Sequence, residues 1–123
     1  MPKALMLAFT SPASAEVEEE YNNWYSGKHL PDLTHVPGII SATRYKLDKT
    51  IEAMPGIGGD ARQYMAMYEI EGNTQEDLAQ FAKNLVEAIN AGRVDISPTL
   101  DMVNISASFL LPITETMPAA KAV

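Results

Sequence analysis

The sequence contains no cysteine, which excludes a disulfide framework, thiolate metal sites and a cysteine nucleophile. Basic residues are scarce, with 9 Lys and Arg against 16 Asp and Glu and a formal net charge of -7. Such a chain repels a phosphate backbone, so no nucleic-acid partner is expected. Long apolar runs are missing as well. The run Ala4 to Phe9 is too short for a signal-peptide core or a membrane span, and a cytoplasmic protein without a membrane partner is expected. Histidine occurs twice. His29, Asp32 and His35 stand close together, but Pro31 and Pro37 interrupt any shared helical face, so no metal site is expected. The glycines of Gly56-Ile57-Gly58-Gly59 are followed by no helix whose N-terminus could hold a phosphate, and no nucleotide cofactor is expected either.

What is present fits one small globular domain: 123 residues, 46% hydrophobic and 20% charged. The pattern predicts a strand over Lys3 to Phe9, then a helix that Ser14 caps and that runs to about Gly27. Glu16, Glu18, Glu19 and Glu20 load its first turns with the negative charge that free backbone N–H groups favour. Val17, Tyr21, Trp24 and Tyr25 form its apolar stripe. Pro31 and the Pro37-Gly38 turn stop that helix and predict a connector with one helical turn. Ile39 to Leu47 and Gln63 to Ile70 read as strands. The loop between them, Asp48 to Arg62, is long enough to be a flap over a site or a mobile connection without a role.

Thr74 and Asp77 resemble a capping box, and Leu78, Phe81, Ala82, Leu85, Val86 and Ile89 follow at helical spacing until Asn90-Ala91-Gly92 ends the run. Met102 to Leu111 alternates, with Val103, Ile105, Ala107 and Phe109 on one face and Asn104, Ser106 and Ser108 on the other. The order β-α-β-β-α-β predicts an α+β, ferredoxin-like fold with an antiparallel four-stranded sheet over residues 1–112, and a tail over 113–123 that is mobile or an arm on a partner. Both helices then cover one sheet face. Strands one and three are apolar on both faces, which predicts a homodimer in which two sheets face each other as a dimeric α+β barrel. Asn104, Ser106 and Ser108 would then line an interior cavity for a small molecule.

The segment Glu20-Tyr21-Asn22-Asn23-Trp24-Tyr25-Ser26-Gly27-Lys28-His29-Leu30-Pro31-Asp32, followed by Val36-Pro37-Gly38 and Ala42-Thr43-Arg44-Tyr45, resembles the EthD-like dimeric α+β barrel family over about a quarter of the chain. This broad superfamily includes isomerases, cofactor-free monooxygenases, polyketide cyclases and haem-degrading enzymes, so the resemblance implies the fold more than a reaction. It implies that His29 lies near the barrel cavity, with Trp24, Asp32 and Arg44 around it. It speaks against the haem-degrading branch, whose asparagine, tryptophan and histidine come from elements other than those holding Asn23, Trp24 and His29.

Read as chemistry, His29 beside Tyr21, Trp24 and Tyr25 is equipped to move a proton at neutral pH, or it is a structural hydrogen-bonding group at a helix end. Asp32 orients that ring or caps the next turn. Arg44 holds a substrate oxygen from inside the barrel, or pairs with an acid of the partner at the rim. Trp24, Tyr25, Tyr64, Tyr68, Asn104 and Ser106 are candidate substrate contacts, with core packing the alternative for the aromatics. The expected function is a small cofactor-independent enzyme, of isomerase, cyclase or decarboxylase type, acting by general acid/base chemistry on a hydrophobic, aromatic, lactone or polyketide-like molecule. A cofactor-free monooxygenase and a non-catalytic binding or accessory protein of a catabolic pathway are the alternatives.

Overall fold

The computed structural model describes residues 1–52 and 54–121. Ala53 of the long loop and Ala122 and Val123 of the tail, both read from the sequence, lie outside the described residues. Four strands, β1 (Leu5–Thr10), β2 (Ile39–Lys46), β3 (Tyr64–Ile70) and β4 (Ser106–Leu110), form one sheet in the order β2-β3-β1-β4. Every neighbouring pair is antiparallel. This is the ferredoxin-like arrangement that the element order implies. No helix among the described residues is long and apolar enough to cross a membrane.

All helices lie on one face of the sheet. Met6 of β1 and Ala66, Tyr68 and Ile70 of β3 point into the core there, against Tyr21, Tyr25 and Leu33 of the first helical region and Leu78 and Phe81 of the second. Burying a ring such as Phe81 stabilises the fold by about 1.5–3 kcal/mol. The long helix α3 (Gln75–Asn90) begins at the expected capping box: Thr74 Oγ1 accepts from the Asp77 N–H at 3.2 Å, and the Asp77 carboxylate accepts from the Thr74 N–H at 3.1 Å. It ends at Gly92, whose φ of 76° is the left-handed conformation that glycine tolerates. Val86, part of the expected stripe, is exposed.

The first helical region departs from expectation. Instead of stopping near Gly27 it continues from Ala15 to Leu33: a tight 3-10 turn (Ala15–Val17), α1 (Glu18–Trp24), a wide π turn (Tyr25–His29) and α2 (Leu30–Leu33). Pro31 sits in the first turn of α2, where the missing N–H is tolerated. The wide turn before it is closed by the Leu30 N–H on the Tyr25 carbonyl, one residue further back than in an α-helix. Ser14 holds the N-cap position with extended backbone, but its side chain makes no capping bond to the helix.

The fourth strand is also shorter than expected. Asp101 Oδ1 accepts from the N–H groups of Val103 and Asn104 at 3.1 and 3.2 Å, which takes two donors that a strand would have used and makes a turn of these residues. A bulge in β2 between Ile39 and Ser41 puts Ile39, rather than Ile40, in the core beside Ala42, while Ile40 is exposed. In the long loop, Lys49 donates to the carbonyls of Asp60 and Arg62, and Asp60 is paired with Arg62 at 2.6 Å.

Candidate functional site

An apolar cleft of about 210 Å³ opens between the sheet and the helices, on the covered face. Its floor is Met6, Ala8 and Thr10 of β1 with Tyr68 of β3, because residues two apart on a strand share a face. One wall comes from the first helical region, with Tyr25 and His29 of the wide turn and Leu33 of α2. The opposite wall is Leu85 and Ile89 of α3. The roof is the strap that follows α3, residues 93–101, through Val94, Ile96 and Leu100, continued by Met102 and Ile105. The strap is moored where the Ala13 N–H donates to the Thr99 carbonyl at 2.7 Å and the Asp101 N–H to the Ser11 carbonyl at 3.0 Å.

Four polar groups interrupt this apolar lining. His29 is buried, with 8% of its surface exposed, against Trp24 (ring centroids 4.7 Å apart) and edge-to-face with Tyr25 (4.8 Å). Its Nδ1 lies 2.8 Å from the backbone carbonyl of Asp95. A carbonyl only accepts, so Nδ1 carries the proton in the neutral ring and Nε2 keeps a free lone pair. Nε2 bonds no group among the described residues and is not among their fully buried unpartnered atoms, so it keeps some accessible surface, on a residue that lines the cleft. Burial lowers the pKa of His29, since an imidazolium there would lose its water. The hydroxyls of Tyr25 and Tyr68 lie 3.4 Å apart, and burial raises both pKa values, so both phenols stay protonated. Thr10 Oγ1 shares a short hydrogen bond with the Tyr21 hydroxyl. An imidazole and two phenolic hydroxyl donors thus line one apolar cleft.

The remaining candidates sort clearly. Asp32 does not orient His29. It pairs with Lys28 at 3.0 Å on the outer side of the helix, and the main-chain carbonyl of Asp95 takes the orienting role. Trp24 does not line the cleft, but its ring backs His29 and its Nε1–H donates to Asp95 Oδ2 at 3.3 Å. Arg44 does not line the cleft, and it pairs with no acid among the described residues. Its guanidinium sits 4.3 Å over the Tyr25 ring and 5.1 Å from that of Tyr64, and donates to Ser26 Oγ at 2.8 Å and Asn22 Oδ1 at 3.1 Å. Tyr64 is outside the cleft too, donating to Glu18 at 2.6 Å.

Asn104 lies in the Asp101 turn and is exposed. Ser106 pairs with Phe9 on the sheet face opposite the helices, as Ser108 does with Leu7, so neither serine reaches the cleft. None of the described residues of the 48–62 loop lines the cleft, so the loop is no flap over it. The sequence reading missed Asp95 and the strap, whose only outward sign is the apolar pair Val94 and Ile96 flanking an acid between Gly92 and Pro98. Among the described residues no three His, Asp or Glu side chains gather as a metal site.

No protein-family model matches the sequence, and no curated protein matches it. Solved structures do match in fold. The haem-degrader MhuD of Mycobacterium tuberculosis, solved with two haems bound in its active site, aligns with a TM-score of 0.60 at 13% identity over 93% of this chain and 99% of that one. A monooxygenase from ActVA-Orf6 of Streptomyces coelicolor, solved with nanaomycin D, gives 0.51 at 12% identity over 96% and 94%. An EthD family protein of Bacillus halodurans gives 0.50 at 14% identity over 95% and 100%. The chain therefore has the α+β fold of these proteins, and at such identities the fold is what they share.

Proposed function

We propose that this protein is a small-molecule enzyme in which His29 is the general base. The observation that carries the reading is the pinned imidazole: the Asp95 carbonyl holds the proton on Nδ1, which leaves Nε2 the basic nitrogen of a histidine that lines an apolar cleft. The substrate is a mostly apolar molecule of one or two rings with a carbonyl or phenolic oxygen, because about 210 Å³ is below the range of drug-sized pockets. Nε2 takes a proton from the C–H beside the carbonyl or from the phenol, and the electron pair left behind moves onto oxygen. The Tyr25 and Tyr68 hydroxyls donate to that oxyanion within the apolar lining. The imidazolium then returns its proton elsewhere on the molecule, which gives an isomerisation or a cyclisation. Association of two protomers through the outer sheet face belongs to the same proposal, and the apolar side chains on that face support it.

The test is turnover of phenols, quinols and unsaturated lactones, followed by mass spectrometry and an oxygen electrode, in the wild type and in His29→Gln. General-base catalysis by His29 predicts a loss of about 10²–10⁴ in kcat with binding retained. Oxygen uptake coupled to product formation assigns the deprotonated substrate as the electron donor to dioxygen, a monooxygenase without a cofactor. Tight binding with no product, equal in both proteins, leaves a carrier and overturns the enzyme reading.

A further inference from the structure

The base is oriented by a main-chain carbonyl, and that carbonyl sits on a segment that packs through Val94 and Leu100 but has few hydrogen bonds of its own. The Arg93 N–H bonds the Ala88 carbonyl at the end of α3, and Thr99 is tied to Ala13. Between these anchors, Ser97 bonds only within the strap, to Thr99 and Leu100. The hydrogen bonds that tie residues 94–98 to the rest of the fold, among the described residues, are both made by Asp95: its carbonyl to His29 Nδ1 at 2.8 Å and its carboxylate to Trp24 Nε1 at 3.3 Å. Trp24 and His29 are themselves stacked, so one acidic residue grips both rings of a contiguous pair.

We infer that Trp24 and the Asp95 carboxylate are positioning residues for His29. Their hydrogen bond fastens the strap to the first helical region, which keeps the Asp95 carbonyl on Nδ1 and leaves Nε2 as the bare nitrogen in the cleft. A carboxylate acceptor strengthens that N–H bond relative to a neutral one. Without it the carbonyl is free to leave, and the imidazole reverts to the mixture of neutral forms set by water, in which Nε2 carries the proton much of the time. A base protonated on its working nitrogen cannot accept a proton. The strap also carries Val94 and Ile96 on either side of Asp95, so the same fastening closes the roof. This inference rests on the general-base reading of His29, but its physical content is a property of the ligand-free protein.

The experiment is nitrogen NMR of the histidine rings in protein labelled with 15N-histidine, for the wild type, Trp24→Phe, Asp95→Ala and Asp95→Asn. Trp24→Phe keeps a ring against His29 and removes only the donor. Asp95→Asn keeps an acceptor oxygen for Trp24, and Asp95→Ala removes it. The expected result is one Nδ1-protonated form in the wild type and Asp95→Asn, and a shift of the His29 signals toward the Nε2-protonated form in the other two. Where a substrate is in hand, kcat falls about tenfold in those two with KM little changed. Trp24→Phe decides the matter alone should Asp95→Ala fail to fold. Wild-type ring signals in both Trp24→Phe and Asp95→Ala overturn the inference whatever the activity. Shifted signals with undiminished turnover uphold the fastening and overturn the general-base reading instead.

Discussion

His29 is the residue whose environment decides the pH behaviour. Its pKa lies below the ordinary 6.5, first because burial strips water from the charged ring, while the Asp95 carbonyl, Asp32 and Asp95 oppose that shift and Arg44 adds to it. Turnover is expected to rise with pH through a midpoint below 6.5 and to stay level above it, which a kcat/KM profile checks. The same group leaves a mark on stability. The unfolded chain takes up a proton near pH 6.5 while the folded chain stays neutral, so stability is full above pH 6.5 and falls as pH drops toward the folded pKa. Melting temperatures between pH 7.5 and 5 are expected to fall less in His29→Gln than in the wild type. Tyr68→Phe keeps the buried ring and deletes one of the two phenolic donors, so turnover is expected to fall about tenfold or more while binding of an apolar ligand stays close to wild type in a calorimetric titration. At this level His29 was legible in the sequence and its partner was not. His29 stands out because aromatics precede it at helical spacing, whereas a main-chain acceptor such as the Asp95 carbonyl has no residue type to announce it.

Among the elements, the helical region from Ala15 to Leu33 shows how a local rule can be met without ending a helix. Proline forbids an ordinary interior turn, and the chain answers with one wide turn that places Tyr25 and His29 together at the cleft. Gly27 sits inside that turn with no atom within 4 Å of where a Cβ would stand. Gly27→Ala is therefore expected to stabilise the protein by about 0.5–1 kcal/mol, the usual helix preference, with the ring signals of His29 unchanged. Gly72→Ala is expected to do the opposite. Its φ of 92° costs alanine about 1–2 kcal/mol, and the new Cβ would fall 2.1 Å from the Asp77 carboxylate that caps α3. Denaturant titration of both variants measures the contrast. The capping box was readable because its residues act within one turn. The early end of β4 was not, since the alternation of Met102 to Leu111 is the same whether Asp101 captures the neighbouring N–H groups or leaves them to a strand.

For the whole molecule, the order of elements and the two-sided apolar strands were enough to place the sheet and its helices. The cleft on the covered face was not, because alternation tells which residues share a face and not which face is hollow. Leu5, Leu7 and Phe9 of β1 stand on the outer face, in register with Glu69, Met67 and Met65 of β3, while Met6, Ala8 and Thr10 look into the cleft. If two protomers meet through that outer face, Leu7→Glu places a charge at its centre and is expected to give monomers in sedimentation velocity where the wild type gives dimers. A wild type that sediments as a monomer at micromolar concentration ends that part of the proposal. The variant is also expected to keep its affinity for a cleft ligand, since Leu7 lies on the far side of the sheet.

Trp24 is the one tryptophan in the chain, and its indole rests 4.7 Å from the His29 ring. An imidazolium quenches a neighbouring indole far more strongly than a neutral imidazole does. The native emission of the unlabelled protein is therefore a built-in gauge of the His29 charge, brightening as the ring gives up its proton and dimming when a ligand hands one to it.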